Sequence, residues 1–96
     1  MAQLIWWLNS SWVGDMAPGE IHGWIAWGGG LKLGDVISFM AHPVIGNPNA
    51  KERVLQVENV QAEGASDGSR RIFYSVRNVG TEEIPGYSLM GMMLRP

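Results

Sequence analysis

Five tryptophans, all in the first third of the chain, are the residues best suited to recognise a ligand. They are Trp6, Trp7, Trp12, Trp24 and Trp27. An indole ring offers a broad apolar face and one N–H donor, which suits it to binding surfaces as well as to protein cores. One hypothesis is therefore a carbohydrate platform, on which the apolar face of a sugar ring packs against these indoles.

Polar side chains lie between the tryptophans and could bond the hydroxyls of a sugar; Glu20 is one of them. The predicted ligand-binding set combines four rings with three other polar side chains: Trp6, Trp12, Trp24, Trp27, Asn9, Asp15 and His22. The alternative is that the rings fill the core and a subunit interface. Because neighbouring side chains on a strand point to opposite faces, adjacent Trp6 and Trp7 allow both interpretations to hold in part.

The sequence has no pattern typical of catalysis or of metal binding. The two histidines, His22 and His42, lack metal-binding spacing, and there is no cysteine. The chain lacks the Gly-x-Ser-x-Gly nucleophile elbow, and the glycines at 28–30 are not followed by the lysine of a phosphate loop. We therefore predict a protein that is not an enzyme and holds no metal or cofactor.

Composition and charge indicate which classes of binding partner to expect. The chain has 96 residues, a net charge of -2 and only 17% charged residues, so we predict no nucleic-acid partner. No segment approaches the ~20 apolar residues of a membrane-spanning helix, and we predict no membrane partner. The first eight residues lack the basic start and cleavage site of a signal peptide. The compartment, cytoplasmic or secreted, stays open.

Glycine and proline divide the chain into short segments with β-type alternation, and no amphipathic helix stands out. We predict strands at 4–8 (with an extension to 13 left open), 20–27, 36–42, 53–62, 70–79 and 87–94. Residues 14–19, 64–69 and 80–86 are expected to be loops. This pattern predicts one all-β domain over 1–96, a small antiparallel β-sandwich of immunoglobulin-like type, with a small β-barrel as the alternative.

Alternation predicts which residues are buried. On the fifth strand Ile72, Tyr74 and Val76 share one face, which we expect to be core. The first strand, at 4–8, and residues 89–94 of the last strand are apolar on both faces, although a sandwich normally buries only one. The surplus predicts a homo-oligomer with Trp7, Met90 and Met92 at its interface. A covering loop or a closed barrel would be the alternative explanation.

The stretch Arg71-Ile72-Phe73-Tyr74-Ser75-Val76-Arg77-Asn78-Val79-Gly80-Thr81 resembles a strand-and-turn pattern of bacterial immunoglobulin-like and CARDB-type adhesion modules. The segment at 33–39, with its Gly-Asp turn before a strand, is similar. The resemblance implies a sandwich, a left-handed turn at Asn78 and Gly80, and Asn or Thr side chains that satisfy backbone groups. The tryptophan-rich first third departs from these families.

Two functions follow as expectations. The first is a non-catalytic binding or assembly module that associates with itself through its two-sided apolar terminal strands. The alternative is lectin-like carbohydrate binding through the tryptophan-rich first third.

Overall fold

The computed structural model describes residues 3–27, 32–44, 53–64, 66–67 and 70–96, and within these ranges the chain forms strands and no helix. The six strands, in chain order, are β1 (Gln3–Met16), β2 (Ile21–Trp27), β3 (Val36–Pro43), β4 (Leu55–Gly64), β5 (Arg70–Asn78) and β6 (Ile84–Arg95).

The strands form two antiparallel sheets that pack face to face. One sheet has the order β1-β6-β3 and the other β2-β5-β4. Among the described strands every hydrogen-bonded pairing lies within one sheet, so the fold is the predicted sandwich and not the closed barrel. The prediction of an all-β antiparallel sandwich is confirmed.

Five of the described strands, β2 to β6, have the order that strands B to F have in an immunoglobulin domain. There, strands A, B, E and D form one sheet and C, F and G the other. If β2 to β6 are taken as B to F, the orders β2-β5-β4 and β3-β6 match B-E-D and C-F. Strand β1 then lies where G would lie, antiparallel to β6.

Two strands extend further than the sequence indicated. β1 continues through Gly14 to Met16, where a loop was expected, and β6 begins at Ile84, inside another expected loop. A bulge between Val13 and Met16 makes this possible, because it lets the pairing continue past an irregularity. Gly14 has a φ of 144°, a conformation that side chains rarely adopt, which explains glycine there.

Alternation on β5 places the core where the sequence predicted it. Ile72, Tyr74 and Val76 are all buried. The Tyr74 ring stacks on Phe39 of the opposite sheet, with 4.0 Å between ring centroids and 15° between planes. Stacked rings add stabilisation beyond their buried area, so this contact helps to hold the two sheets against each other.

Asn78, at the end of β5, ties three backbone segments together. Its side chain is fully buried. Its amide Nδ2 donates to the carbonyl oxygens of Met16 (3.0 Å) and Glu82 (2.8 Å), and its Oδ1 accepts from the Gly80 N–H (3.0 Å). The side chain thus satisfies three backbone groups, one at the end of β1 and two in the segment that follows β5.

The expected left-handed turn at Asn78 and Gly80 is wrong. Among the described residues, positive φ angles occur at Asn59 and at three other glycines, Gly14, Gly19 and Gly34. β5 stays extended through Asn78, and the Asn78 side chain supplies the hydrogen bonds that a tight backbone turn would otherwise provide.

Asp35 fixes the start of β3 to the end of β6. Arg95 donates to both carboxylate oxygens, with Nε–Oδ1 and Nη2–Oδ2 distances of 2.8 Å each, and the Lys32 backbone N–H donates to Oδ2 at 2.7 Å. The hydrogen bond from Arg95, followed by that from Lys32, lowers the pKa of Asp35 from 3.8 to about 2.

This lowered pKa predicts a specific acid sensitivity. A carboxyl with a depressed folded-state pKa stabilises the fold above its unfolded-state value, and that contribution disappears as the pH falls from 3.8 towards about 2. We expect Asp35→Asn to be less stable than wild type at neutral pH and to lose less stability on acidification. Urea titrations from about pH 2 to about pH 6 measure this. Parallel stability curves for Asp35→Asn and wild type would contradict it, and Glu83→Gln at an exposed carboxyl is the control.

Candidate functional site

One end of the sandwich interior holds a set of aromatic and polar side chains that we call the inter-sheet cluster: Trp12, Glu20, His22, Trp24 and Tyr87. The alternation of β2 directs His22 and Trp24 towards the opposite sheet, where the facing residues Trp12 of β1 and Tyr87 of β6 are paired in register. Both sheets therefore contribute to the cluster.

The Tyr87 hydroxyl lies at the centre of the inter-sheet cluster. The Trp24 indole Nε1 donates to it at 3.0 Å, and it lies 2.8 Å from His22 Nδ1. On the other side of the His22 ring, Nε2 lies 2.7 Å from a carboxylate oxygen of Glu20. The four side chains form a chain of hydrogen bonds from Trp24 in the interior to Glu20 at the surface.

One arrangement of hydrogens satisfies this whole chain. Burial raises the pKa of Tyr87 above its ordinary value of 10, so the phenol keeps its proton at neutral pH. The Tyr87 O–H then donates to His22 Nδ1 while its oxygen accepts from Trp24. The hydrogen of His22 is left on Nε2, where it donates to Glu20.

Aromatic packing completes the inter-sheet cluster. The Trp12 ring stacks on Tyr87, with 5.3 Å between centroids and 26° between planes, and meets the His22 ring edge-on at 4.3 Å. Trp12 and Trp24 both pack against the buried core while remaining half-buried. The Tyr87 side chain is only 1% exposed, so a solute cannot reach its hydroxyl. The cluster joins the two sheets through part-buried polar contacts.

The structure brings three residues of the predicted ligand-binding set together: Trp12, His22 and Trp24. Asp15 lies exposed on β1, apart from their hydrogen-bond chain. Trp6 and Asn9 lie in β1 and Trp27 lies in β2, but the structure describes only the backbones of these three residues. The side-chain nitrogens of His22 and Trp24 already form hydrogen bonds with Tyr87 and Glu20. A sugar platform at these rings therefore stays a prediction.

Sequence reasoning did not identify Tyr87 as the centre of this cluster. Tyr87 is 65 residues from His22 and 63 from Trp24, and no local pattern marks such a partner. In the part of the chain that the structure describes, no group of three or more His, Cys, Asp or Glu side chains could hold a metal ion.

A second candidate surface is the outer face of the β1-β6-β3 sheet, which we call the methionine face: Met40, Met90 and Met92. Met90 and Met92 point outward from the central strand β6, with 36% and 45% of their surface exposed, and Met40 on β3 is 57% exposed. Met40 is the register partner of Met90, so the side chains are neighbours on one face.

The three methionines border a shallow groove of about 360 Å³. Ser38 and His42 of β3 also line it, and its lining residues include no Asp, Glu, Lys or Arg. On the other side of β6 the register pairs Trp7 of β1 with Met92, although the Trp7 side chain lies outside the described residues. The two-sided apolar character predicted for β6 is thus visible: Leu89 and Met93 are buried on the inner face.

Together these features define a class, a small antiparallel β-sandwich with six strands in the described part of the chain. Comparisons of the chain with models of protein families, with curated proteins and with solved structures found no match. Within the described residues, no helix has the length and hydrophobicity needed to cross a membrane.

Proposed function

We propose that this chain is a non-catalytic assembly module that associates with a second copy of itself through the methionine face. The observation that supports the proposal is the outward exposure of Met40, Met90 and Met92 on adjacent strands of one sheet. In a sandwich the outer face normally carries polar side chains. A contiguous apolar face is typical of an interaction surface.

A second copy fits this surface better than a charged partner does. No Asp, Glu, Lys or Arg lines the groove beside the methionines, so two copies meet there without burying an unpaired carboxylate, ammonium or guanidinium group. In a twofold contact the same patch faces itself, and each methionine is buried in both copies. Methionine side chains are flexible and adapt to such self-complementary packing.

The proposal predicts that one charge on the methionine face abolishes association. Wild type is expected to have an average mass above the 10.6 kDa of one chain. As its concentration is raised from about 1 µM to about 500 µM, this mass should approach that of two chains. Met92→Lys is expected to stay at the mass of one chain, because pairing would bury its ammonium group unpaired. Size-exclusion chromatography with light scattering measures both.

The matched control is Ile21→Lys, which adds the same charge at a similarly exposed position on the outer face of the other sheet. It is expected to associate as wild type does. The proposal fails if wild type has the mass of one chain throughout the concentration range, or if Met92→Lys and Ile21→Lys behave alike.

A further inference from the structure

The outer face of the β2-β5-β4 sheet carries a groove that the sequence did not indicate. Its volume is about 590 Å³, within the range of small-molecule sites. We call it the sheet groove and define it by the residues that carry its chemistry: Gly23, Asn59, Gln61, Glu63, Phe73 and Ser75. It lies on the opposite side of the sandwich from the methionine face.

A missing side chain opens the sheet groove. Gly23 lies inside β2, opposite Ser75 of the central strand β5. A Cβ atom added to Gly23 would meet nothing within 4 Å, so neither neighbouring backbone nor packing requires glycine there. A glycine inside a strand weakens the strand, and it often marks a site where a ligand approaches the backbone.

A β-bulge places Asn59 at the opposite side of the sheet groove. Glu58 pairs with Ser75 and Gln61 with Phe73, so β4 has one extra residue between these pairs. Asn59 in the bulge has a φ of 56° and lines the groove. Bulges redirect side chains and are frequent beside binding sites. The extra residue therefore brings an amide into a groove already bordered by the Gln61 amide.

Two ion pairs border the sheet groove and neutralise its charges. Arg77 Nε donates to Glu58 at 2.8 Å beyond Ser75, and Arg71 pairs with Glu63 beyond Phe73. Because each of these arginines is matched by a carboxylate, the face has no surplus of positive charge for a phosphate or sulfate. The other outward side chains that line the groove are the Asn59 and Gln61 amides, the Ser75 hydroxyl, the Phe73 ring and the apolar Ile25. This uncharged mixture of polar and apolar groups suits a neutral ligand that has both hydroxyls and an apolar face.

Phe73 supplies the apolar surface that such a ligand needs. Its ring is half-buried on the outer face of β5, between Arg71 and Ser75. The Arg71 guanidinium carbon lies 5.9 Å from the ring centroid, while Ser75 and the space above Gly23 lie in the other direction along the strand. A sugar ring combines an apolar C–H face with equatorial hydroxyls, which matches an aromatic ring bordered by amides.

We propose that the sheet groove binds a neutral pyranose unit of a glycan, which lies over Gly23 against Phe73 while Asn59, Gln61 and Ser75 bond its hydroxyls. This site is independent of the assembly proposed above, since it uses the other sheet. It is also distinct from the tryptophan-rich surface predicted from the sequence.

The test uses the full chain on a printed array of neutral, acidic and basic oligosaccharides, followed by calorimetry with the best neutral binder. Gly23→Val fills the sheet groove with a strand-forming residue, so we expect binding to weaken at least ~10-fold while the thermal midpoint does not fall. Asn59→Gly keeps the left-handed conformation and removes the amide, and we expect several-fold weaker binding. Gln56→Ala, on the same face outside the sheet groove, should bind as wild type.

Saturable binding of a neutral glycan that Gly23→Val abolishes and Gln56→Ala retains supports the proposal. Three results overturn it: no neutral glycan bound by the wild-type chain, binding of charged glycans alone, or neutral-glycan binding of equal strength in Gly23→Val and wild type. Neutral-glycan binding that survives Gly23→Val and is lost in Trp12→Phe assigns the sugar to the tryptophan-rich surface instead. A wild-type chain that binds neutral glycan and keeps the mass of one chain throughout the concentration range of the chromatography refutes the assembly proposal and leaves this one standing.

Discussion

Asn78→Asp is expected to lower the free energy of unfolding by about 3 kcal/mol or more. The Asn78 amide nitrogen donates to two carbonyl oxygens, those of Met16 and Glu82, at a fully buried position. Aspartate has nearly the same shape and still accepts from Gly80, but it places a carboxylate oxygen against both carbonyls. Repulsion and the burial of an unpaired charge therefore replace two hydrogen bonds.

Urea denaturation followed by circular dichroism measures this loss. Asn59→Asp is the matched control, because it makes the same chemical change at an exposed residue and should alter stability by less than about 0.5 kcal/mol. Asn78→Ala should also destabilise, since it leaves three backbone groups without their partner. An Asn78→Asp variant as stable as Asn59→Asp would show that the loop relaxes and finds other partners.

Tyr87→Phe is expected to destabilise the fold by about 2 kcal/mol while preserving its packing. Phenylalanine keeps the ring that stacks on Trp12, but it removes the hydroxyl that accepts from Trp24 and faces His22. Two polar atoms of the inter-sheet cluster then lose their partner in a part-buried environment, and such unsatisfied groups carry most of the cost.

A double-mutant cycle with Trp24→Phe separates the hydrogen bond from general disturbance. We expect a coupling energy of about 1 kcal/mol between Tyr87 and Trp24, because either substitution alone breaks the same bond. The indole N–H resonance of Trp24 should shift in Tyr87→Phe. Additive effects of the two substitutions, with an unmoved indole resonance, would contradict the hydrogen bond described here.

The fold class could be predicted from the sequence because alternation and turn residues are local patterns. Alternation alone placed Ile72, Tyr74 and Val76 in the core, and glycine and proline marked most strand ends. Alternation failed where the strands are irregular. A bulge shifts the inward and outward positions by one residue, so neither the extension of β1 to Met16 nor the groove position of Asn59 follows from a regular pattern.

The candidate sites were predictable only in part, for a different reason. Residue type singled out Trp12, His22, Trp24 and the outward methionines, since these side chains stand out in any surface strand. Their partners are set by the packing of one sheet on the other, and Tyr87 is distant in sequence from every residue that it bonds. The sequence did carry one indication of the sheet groove, the absence of a side chain at Gly23 inside a predicted strand.

The position of β1 also constrains how the chain reaches its native state. Among the described strands, β1 and β3 pair only with β6, which comes last along the chain, and the register joins Gln3 to Arg95. During synthesis, the β1-β6-β3 sheet cannot form until β6 has left the ribosome, whereas β2, β4 and β5 can pair earlier. Such long-range pairing slows folding, to ~milliseconds or seconds for small β-sandwiches. Until then the edges of β1 and β3 are unpaired, and unpaired strand edges favour aggregation of a chain that has not finished folding.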